Sequence, residues 1–233
     1  MILGVLNPKG GTGKSTLSTN LAREIARDGR EVLLIDTDPQ GTARDWQNRF
    51  PEDAEDFPDV VGIDSARALK DSLPRLSRGY DITIIDGSAK MEGLTGAAVR
   101  ACNLILLPVQ PSPADIWGVS DLVDIILARQ EVTDGKPLAA FVISKHDSRW
   151  TRFGREVDQA LSAYGLPVLH ARTTVLTDYA TAIGAGGSVV DINPSGKAAD
   201  QIEAIKTEVL TLLGDEHTSI PRRHPAVQEG LVQ

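Results

Sequence analysis

The stretch Ile2-Leu3-Gly4-Val5-Leu6-Asn7-Pro8-Lys9-Gly10-Gly11-Thr12-Gly13-Lys14-Ser15 passes from a short apolar run into a glycine loop and then into helical spacing. Ile2 to Leu6 predicts a buried strand, and the spacing after the loop predicts a helix from Ser15 to Asp28, stopped by Gly29. A glycine loop between a strand and a helix can turn its backbone N–H groups inward around phosphate oxygens. The helix N-terminus adds the positive end of its dipole. Gly10, Gly11, Thr12, Gly13, Lys14, Ser15 and Thr16 are therefore the expected phosphate cradle. Lys14 would reach the outer phosphates, and the Ser15 hydroxyl would ligate Mg²⁺. A glycine-rich turn with an incidental lysine is the competing reading, and it would not require the flanking strand and helix.

Outward from the loop, apolar runs alternate with amphipathic stretches. Strands are expected at Glu31 to Asp36, Asp81 to Asp86, Asn103 to Pro108 and Leu138 to Ser144, with a short one at Leu166 to Leu169. Helices are expected at Ala114 to Gln130, Thr151 to Tyr164, Leu176 to Ile183 and Lys197 to Leu213, and the acidic segment Asn48 to Asp59 reads as a surface loop. Near-continuous apolar strands separated by helices predict an α/β, doubly wound, mostly parallel β-sheet flanked by helices. Asp36, Asp38 and Asp86 follow or end such strands, where open α/β sheets bind their ligands.

The chain has 233 residues and a formal net charge of −8, so any binding to nucleic acid must come from a local basic patch. Cys102 is the single cysteine, which excludes an internal disulfide and a multi-cysteine metal site and fits a reducing cytosol. The N-terminus lacks a basic segment and a cleavage site, and no apolar run is long enough to span a bilayer. One domain over residues 1–213 is expected. Residues 214–233 lose periodicity, carry Pro221 and Pro225, and read as a mobile tail.

Pro8 stands where the pattern G-x-x-x-x-G-K-[ST] has its first glycine, and Lys9 follows it. Lys9-Gly10-Gly11-Thr12-Gly13-Lys14-Ser15 resembles the deviant Walker A motif of the ParA/MinD family of P-loop ATPases. That resemblance implies that Lys9 crosses a dimer interface to the partner's nucleotide; a solvated surface lysine is the bland alternative. Asp36-Thr37-Asp38-Pro39-Gln40 is similar to the family's switch I. By resemblance Asp38 aims the attacking water and Asp36 supports the Mg²⁺ shell, while an aspartate at this place also fits a helix cap. Asp86 looks like the Walker B aspartate, followed by Gly87-Ser88-Ala89-Lys90, with the role of Lys90 open. Pro108-Val109-Gln110-Pro111-Ser112-Pro113, with Asp115 after it, fits equally a rigid helix start and an interface segment.

The resemblance covers about residues 1–213 and is most like the small, ParF-like ParA proteins. It implies an ATPase using ATP and Mg²⁺ that forms an ATP-dependent homodimer, binds DNA without sequence preference and works with a ParB-like cargo adaptor. The cargo would be a plasmid, a chromosome or a protein compartment, and the location cytoplasmic and nucleoid-associated. The tail has no apolar face, so no membrane partner is expected. Two other readings stay open: a metabolic P-loop enzyme acting on a small molecule, and a nucleotide-dependent scaffold with negligible turnover. Lys145, Arg149, Arg152, Arg155 and Arg172 are the candidate DNA-facing residues, with a solvated helix face as the alternative. Lys197, Arg222 and Arg223 are second-tier candidates.

Lys14→Ala is expected to abolish tight nucleotide binding, because the phosphates lose their main side-chain cation. Direct titration with ATP checks this, and unchanged affinity would remove the phosphate-loop assignment.

Overall fold

The computed structural model describes residues 1–52, 56–89, 92–147 and 151–214. In chain order the elements are β1 (Ile2–Val5), α1 (Lys14–Arg27), β2 (Val32–Asp36), α2 (Thr42–Gln47), β3 (Asp59–Gly62), α3 (Ala66–Leu76), β4 (Ile82–Asp86) and α4 (Glu92–Ala101). They continue with β5 (Leu104–Val109), α5 (Pro113–Trp117), α6 (Ser120–Glu131), β6 (Leu138–Ile143), α7 (Thr151–Ser162), α8 (Thr177–Gly184), α9 (Val189–Ile192) and α10 (Lys197–Leu212). The described strands form one six-stranded sheet in the order β3-β2-β4-β1-β5-β6, with every pairing parallel. Strand β1 lies between β4 and β5, so its carboxyl end opens where the order of connections reverses. That is the place where open α/β sheets bind ligands.

Side chains alternate along each strand into two cores. Leu34, Ile82, Ile84, Leu104, Leu106, Ala140 and Val142 enter a core shared with α1, α9 and α10. Leu33, Ile35, Ile85, Ile105, Leu107, Phe141 and Ile143 enter the opposite core, with α3, α4, α6 and α7. Burial on both faces is why these strands are apolar at nearly every position.

Several elements depart from the sequence expectations. Strand β3 begins at Asp59, the end of the expected acidic loop, as a four-residue edge strand. The helical stretch expected from Ala114 to Gln130 is two helices. α5 is capped by the Ser112 hydroxyl, which accepts from Asp115 N at 3.2 Å, and α6 starts two residues after Gly118 closes the first turn onto Ala114 O. Leu166 to Leu169 is not a full strand. It meets β6 through one parallel bridge, Phe141 to Val168. Lys90, Arg149 and the segment 215–233 lie outside the described residues, so the expected mobile tail does too.

Helix α2 has six residues, and so short a helix has little stability of its own. Trp46 fixes it: its ring is fully buried, and its Nε1 donates to Gly187 O at 2.8 Å. The ring meets Phe50 edge-on at 4.7 Å between centroids; Phe50 packs on Phe57, and the Arg23 guanidinium of α1 lies 3.9 Å from the Phe57 ring centre. Trp46→Phe keeps much of the apolar volume but strands the buried Gly187 carbonyl. It is expected to lower unfolding stability by ~1–3 kcal/mol, read as a lower urea midpoint with an unchanged slope.

Candidate functional site

The glycine loop adopts the cradle shape. Gly11 and Gly13 have φ of 78° and 97°, in the left-handed region that side-chain-bearing residues avoid. Other elements pin the loop from outside. Gly11 O accepts from Gln110 Nε2 and from Lys145 Nζ, each at 2.7 Å, and Thr12 O accepts from Ser144 Oγ at 2.6 Å. With its carbonyls engaged outward, the loop is held in the shape that leaves amides for an anion.

The two loop lysines do different things. Lys14 is buried and donates to Lys9 O at 2.9 Å. Burial lowers its pKa, while the nearby carboxylates of Asp86 and Asp38 oppose that shift. Lys9 stays 43% exposed at the loop rim, its ammonium 3.0 Å from Oδ1 of the buried Asp115. Ser112 also donates its hydroxyl to Oδ2 of Asp115. The Pro-rich segment therefore performs the helix-start role and also delivers the carboxylate that holds Lys9.

Asp36 and Asp86 are register partners on β2 and β4, and both are almost fully buried. Their surroundings differ. Asp36 Oδ2 accepts from Ala43 N at 3.1 Å and Arg44 N at 3.2 Å, with Arg44 Nε 3.5 Å away, and its Oδ1 accepts from Asp38 N at 3.0 Å. It thus caps α2 from seven residues upstream. Asp38 uses one oxygen for Gln40 N, at 3.0 Å. Thr37 was not singled out from sequence, yet its hydroxyl donates to Asp86 O at 2.6 Å and accepts from Ser88 N at 3.1 Å. That hydroxyl joins the segment after β2 to the one after β4.

Asp86 is the unsatisfied member of the pair. Oδ1 accepts from Ser18 Oγ at 3.1 Å, and the buried Oδ2 has no hydrogen-bond partner. Burial pushes its pKa up to about 7. Hydrogen bonding from Ser15 and Ser18 and the Lys14 charge pull against that, and the Asp36 charge adds to it. An orphaned carboxylate oxygen beside the Ser15 hydroxyl is a hard-oxygen pair that suits Mg²⁺, which usually keeps few protein ligands and takes the rest from phosphate and water. The described residues contain no group of three or more His, Cys, Asp or Glu side chains able to hold a metal by themselves.

Beyond Gly13 and Thr16 a cavity of about 470 Å³ opens, mostly apolar, with Leu17, Tyr179 and Ile183 among its walls. Sequence reading gave no signature for it, because its lining comes from the loop, the end of β6 and the segment into α8. Of the candidate DNA-facing residues, Lys145, Arg155 and Arg172 have described side chains. Lys145, with φ of 55°, turns to the phosphate loop. Arg172 pairs with Asp158 at 3.4 Å, and Arg155 is exposed on α7. The side chain of Arg152, like Arg149, falls outside the description.

Comparison with known proteins agrees with this geometry. The CobQ/CobB/MinD/ParA nucleotide binding domain matches residues 3–184. The chain is 30% identical over 210 residues to the maintenance of carboxysome distribution protein A of Halothiobacillus neapolitanus, covering 89% of this chain and 95% of that protein. It is 28% identical over 194 residues to the chromosome-partitioning ATPase Soj of Thermus thermophilus, covering 70% and 76%. Among solved structures, apo McdA from Cyanothece has a TM-score of 0.75 at 16% identity, covering 89% of this chain and 98% of that one. The cell division ATPase MinD of Pyrococcus furiosus has a TM-score of 0.71 at 20% identity, covering 91% and 98%. At these identities the structural likeness is one of fold.

Asp86 generates a prediction with a definite sign. Its folded pKa is raised from 3.8 to about 7, so its protonated form favours the fold. The stability this contributes is complete below the unfolded pKa and is lost as pH rises through about 7. Asp86→Asn is therefore expected to raise the nucleotide-free Tm at pH 8 by several degrees, since ~1 kcal/mol moves a chain of this size by about 2–4 °C. The same variant should lose the extra stabilisation that Mg²⁺ adds to ATP. Thermal melts at pH 5 and pH 8 check both, and a variant less stable than the parent at pH 8 would refute the account.

Proposed function

This chain belongs to the CobQ/CobB/MinD/ParA family of nucleotide-binding domains, and on that footing we propose that it is a ParA-type ATPase that dimerises around ATP and positions a large cargo. The ATPase assignment draws support from relatives whose own descriptions name a partitioning ATPase, an ATP complex and a Mg-ADP complex. The phosphates lie in the loop from Gly10 to Thr16, and the 470 Å³ cavity takes the base and sugar. Ser15 and Asp86 hold Mg²⁺, which would neutralise phosphate charge. Asp36 stays in the supporting position that keeps Asp38 and α2 in place. Asp38 has one oxygen free of the backbone and accepts a hydrogen bond from the attacking water.

One observation carries the dimer: Lys9 sits at the rim with a partly exposed side chain, while Lys14 occupies the loop interior. A rim cation adds little to its own nucleotide, but across a two-fold axis it reaches the partner's phosphates reciprocally. Supplying that cation in trans makes hydrolysis depend on dimerisation. DNA binding follows the dimer and is sequence-independent, through a basic surface that includes the exposed Arg155. The extent of the match to the carboxysome distribution protein favours a protein compartment as cargo, with an adaptor linking the two. No described helix is long and apolar enough to cross a membrane, and the site of action proposed is the nucleoid.

The test uses an Asp38→Ala background, in which turnover should fall by roughly 10²–10⁴-fold, leaving ATP bound. On that background Lys9→Ala is expected to keep most of its ATP affinity yet remain monomeric in sedimentation with ATP. It should also fail to retard DNA. Dimerisation equal to the Asp38→Ala parent would sink the cross-subunit role of Lys9.

A further inference from the structure

Gln201, on the second turn of α10, lies outside the cavity but touches two residues that line it. Its Oε1 accepts from Thr174 N at 3.1 Å and from Tyr179 Oη at 2.9 Å. Its Nε2 donates to Thr174 Oγ1 at 2.9 Å. Both lone pairs of the carboxamide oxygen and one of its N–H groups are thus used on the cavity wall. Thr174 is clamped through backbone and side chain together, and the buried Tyr179 ring is fixed at its hydroxyl end. Aspartate, lysine or a hydroxyl could not make this set of contacts; the group must accept twice and donate once at that reach.

The helix that carries Gln201 is itself anchored to the phosphate loop's helix. Lys206 lies 3.3 Å from Glu24 and 2.9 Å from Asp28, both on or capping α1, and Ile202, Ile205 and Val209 are buried against the same core. Two turns beyond Gln201, Glu208 accepts from His170 N at 2.9 Å and Ala171 N at 2.7 Å, the segment that leads into the cavity wall. Positions 201 and 208 fall on one face of a helix. One face of α10 therefore holds the wall at two points, while the helix as a whole is fixed to α1.

We propose that Gln201 is a positioning residue for nucleobase recognition: through Thr174 and Tyr179 it holds the cavity wall in the shape that receives the base. The proposal rests on the reading of that cavity as the nucleoside site. It assigns the base-discriminating part of binding to α10 and the phosphate part to the glycine loop, so the two parts separate experimentally. A loss of general stability would weaken both alike. A loss of wall geometry weakens only ligands that carry a base.

The experiment is calorimetric titration of the full chain with Mg-ADP and, separately, with inorganic pyrophosphate and Mg²⁺. Gln201→Met preserves length and removes all three hydrogen bonds. It is expected to weaken ADP binding about tenfold, the worth of one or two net hydrogen bonds, while pyrophosphate affinity stays within about twofold. Tyr179→Phe removes the hydroxyl's bond to Gln201 and its longer one to Ala198 O, keeps the ring, and is expected to shift ADP affinity in the same direction by about threefold. It carries the test should Gln201→Met fail to fold. Equal losses for both ligands, or unchanged ADP affinity in the variants, overturn the proposal. A parent that binds ADP no better than pyrophosphate overturns the nucleoside-site reading, and this inference with it; a parent that discriminates, beside variants that discriminate equally, overturns this inference alone.

Discussion

Two carboxylates at the ends of adjacent parallel strands, Asp36 on β2 and Asp86 on β4, sit side by side and almost without solvent. Like charges so placed are costly, and each must be compensated locally. Asp36 is compensated by the amides that open α2 and by Arg44. Asp86 is compensated only in part, by Ser15, Ser18 and Lys14, and keeps one bare oxygen. The compensation explains the local architecture. Segment 36–44 must curl so that its helix amides face back toward β2, and α1 must present two serines to β4. The two carboxylates thus differ in that both oxygens of Asp36 are engaged, whereas one of Asp86 is not.

Those same contacts tie the neighbouring segments of the site together. Thr37 bonds to the backbone on both sides of Gly87, so the segments after β2 and β4 cannot shift independently. Helix α2 then passes the constraint on through Trp46 to Gly187, and through Phe50 and Phe57 to Arg23 on α1. Arg23 also bonds Asp191, whose pKa is lowered despite burial by that guanidinium and by Ser188. Contiguous contacts thus join the segment that carries Asp38 to α1, α2 and α9.

How much of this was legible in the sequence depends on how far apart the cooperating residues lie. The phosphate loop is local, and so were its strand, its glycines and its lysines. The strand interiors announced themselves because burial on two faces leaves no polar register. Edge strand β3 did not, since Asp59 and Gly62 at its ends are exposed and its apolar content is two valines. An aspartate cap in this segment fits the sequence, but which aspartate caps is hidden, because the partners of Asp36 are seven and eight positions on, beyond the two-to-three-residue reach that a sequence pattern encodes. Lys145 donates to Gly11 O from a left-handed backbone position, a contact that spacing does not reveal. The 470 Å³ cavity carries no local pattern, since Gly13, Ser144, Thr173 and Tyr179 meet only after the chain has folded.

Lys9 shows how a contact can be strong enough to place a residue and weak enough to release it. Its partner Asp115 is buried, which orients the carboxylate, but Lys9 itself is 43% exposed. An ion pair with one solvated member is worth about 0–1 kcal/mol. Asp115 would also keep the Ser112 hydroxyl after Lys9 departs, so no bare charge is left behind. The phosphates of a nucleotide in a second copy carry several negative charges in a site from which the approaching surface excludes water, where charge–charge attraction strengthens. In the proposed dimer the lysine therefore exchanges a weak partner for a stronger one at little cost. Asp115 holds the lysine at the rim of its own loop, from which the proposed partner's phosphates would draw it.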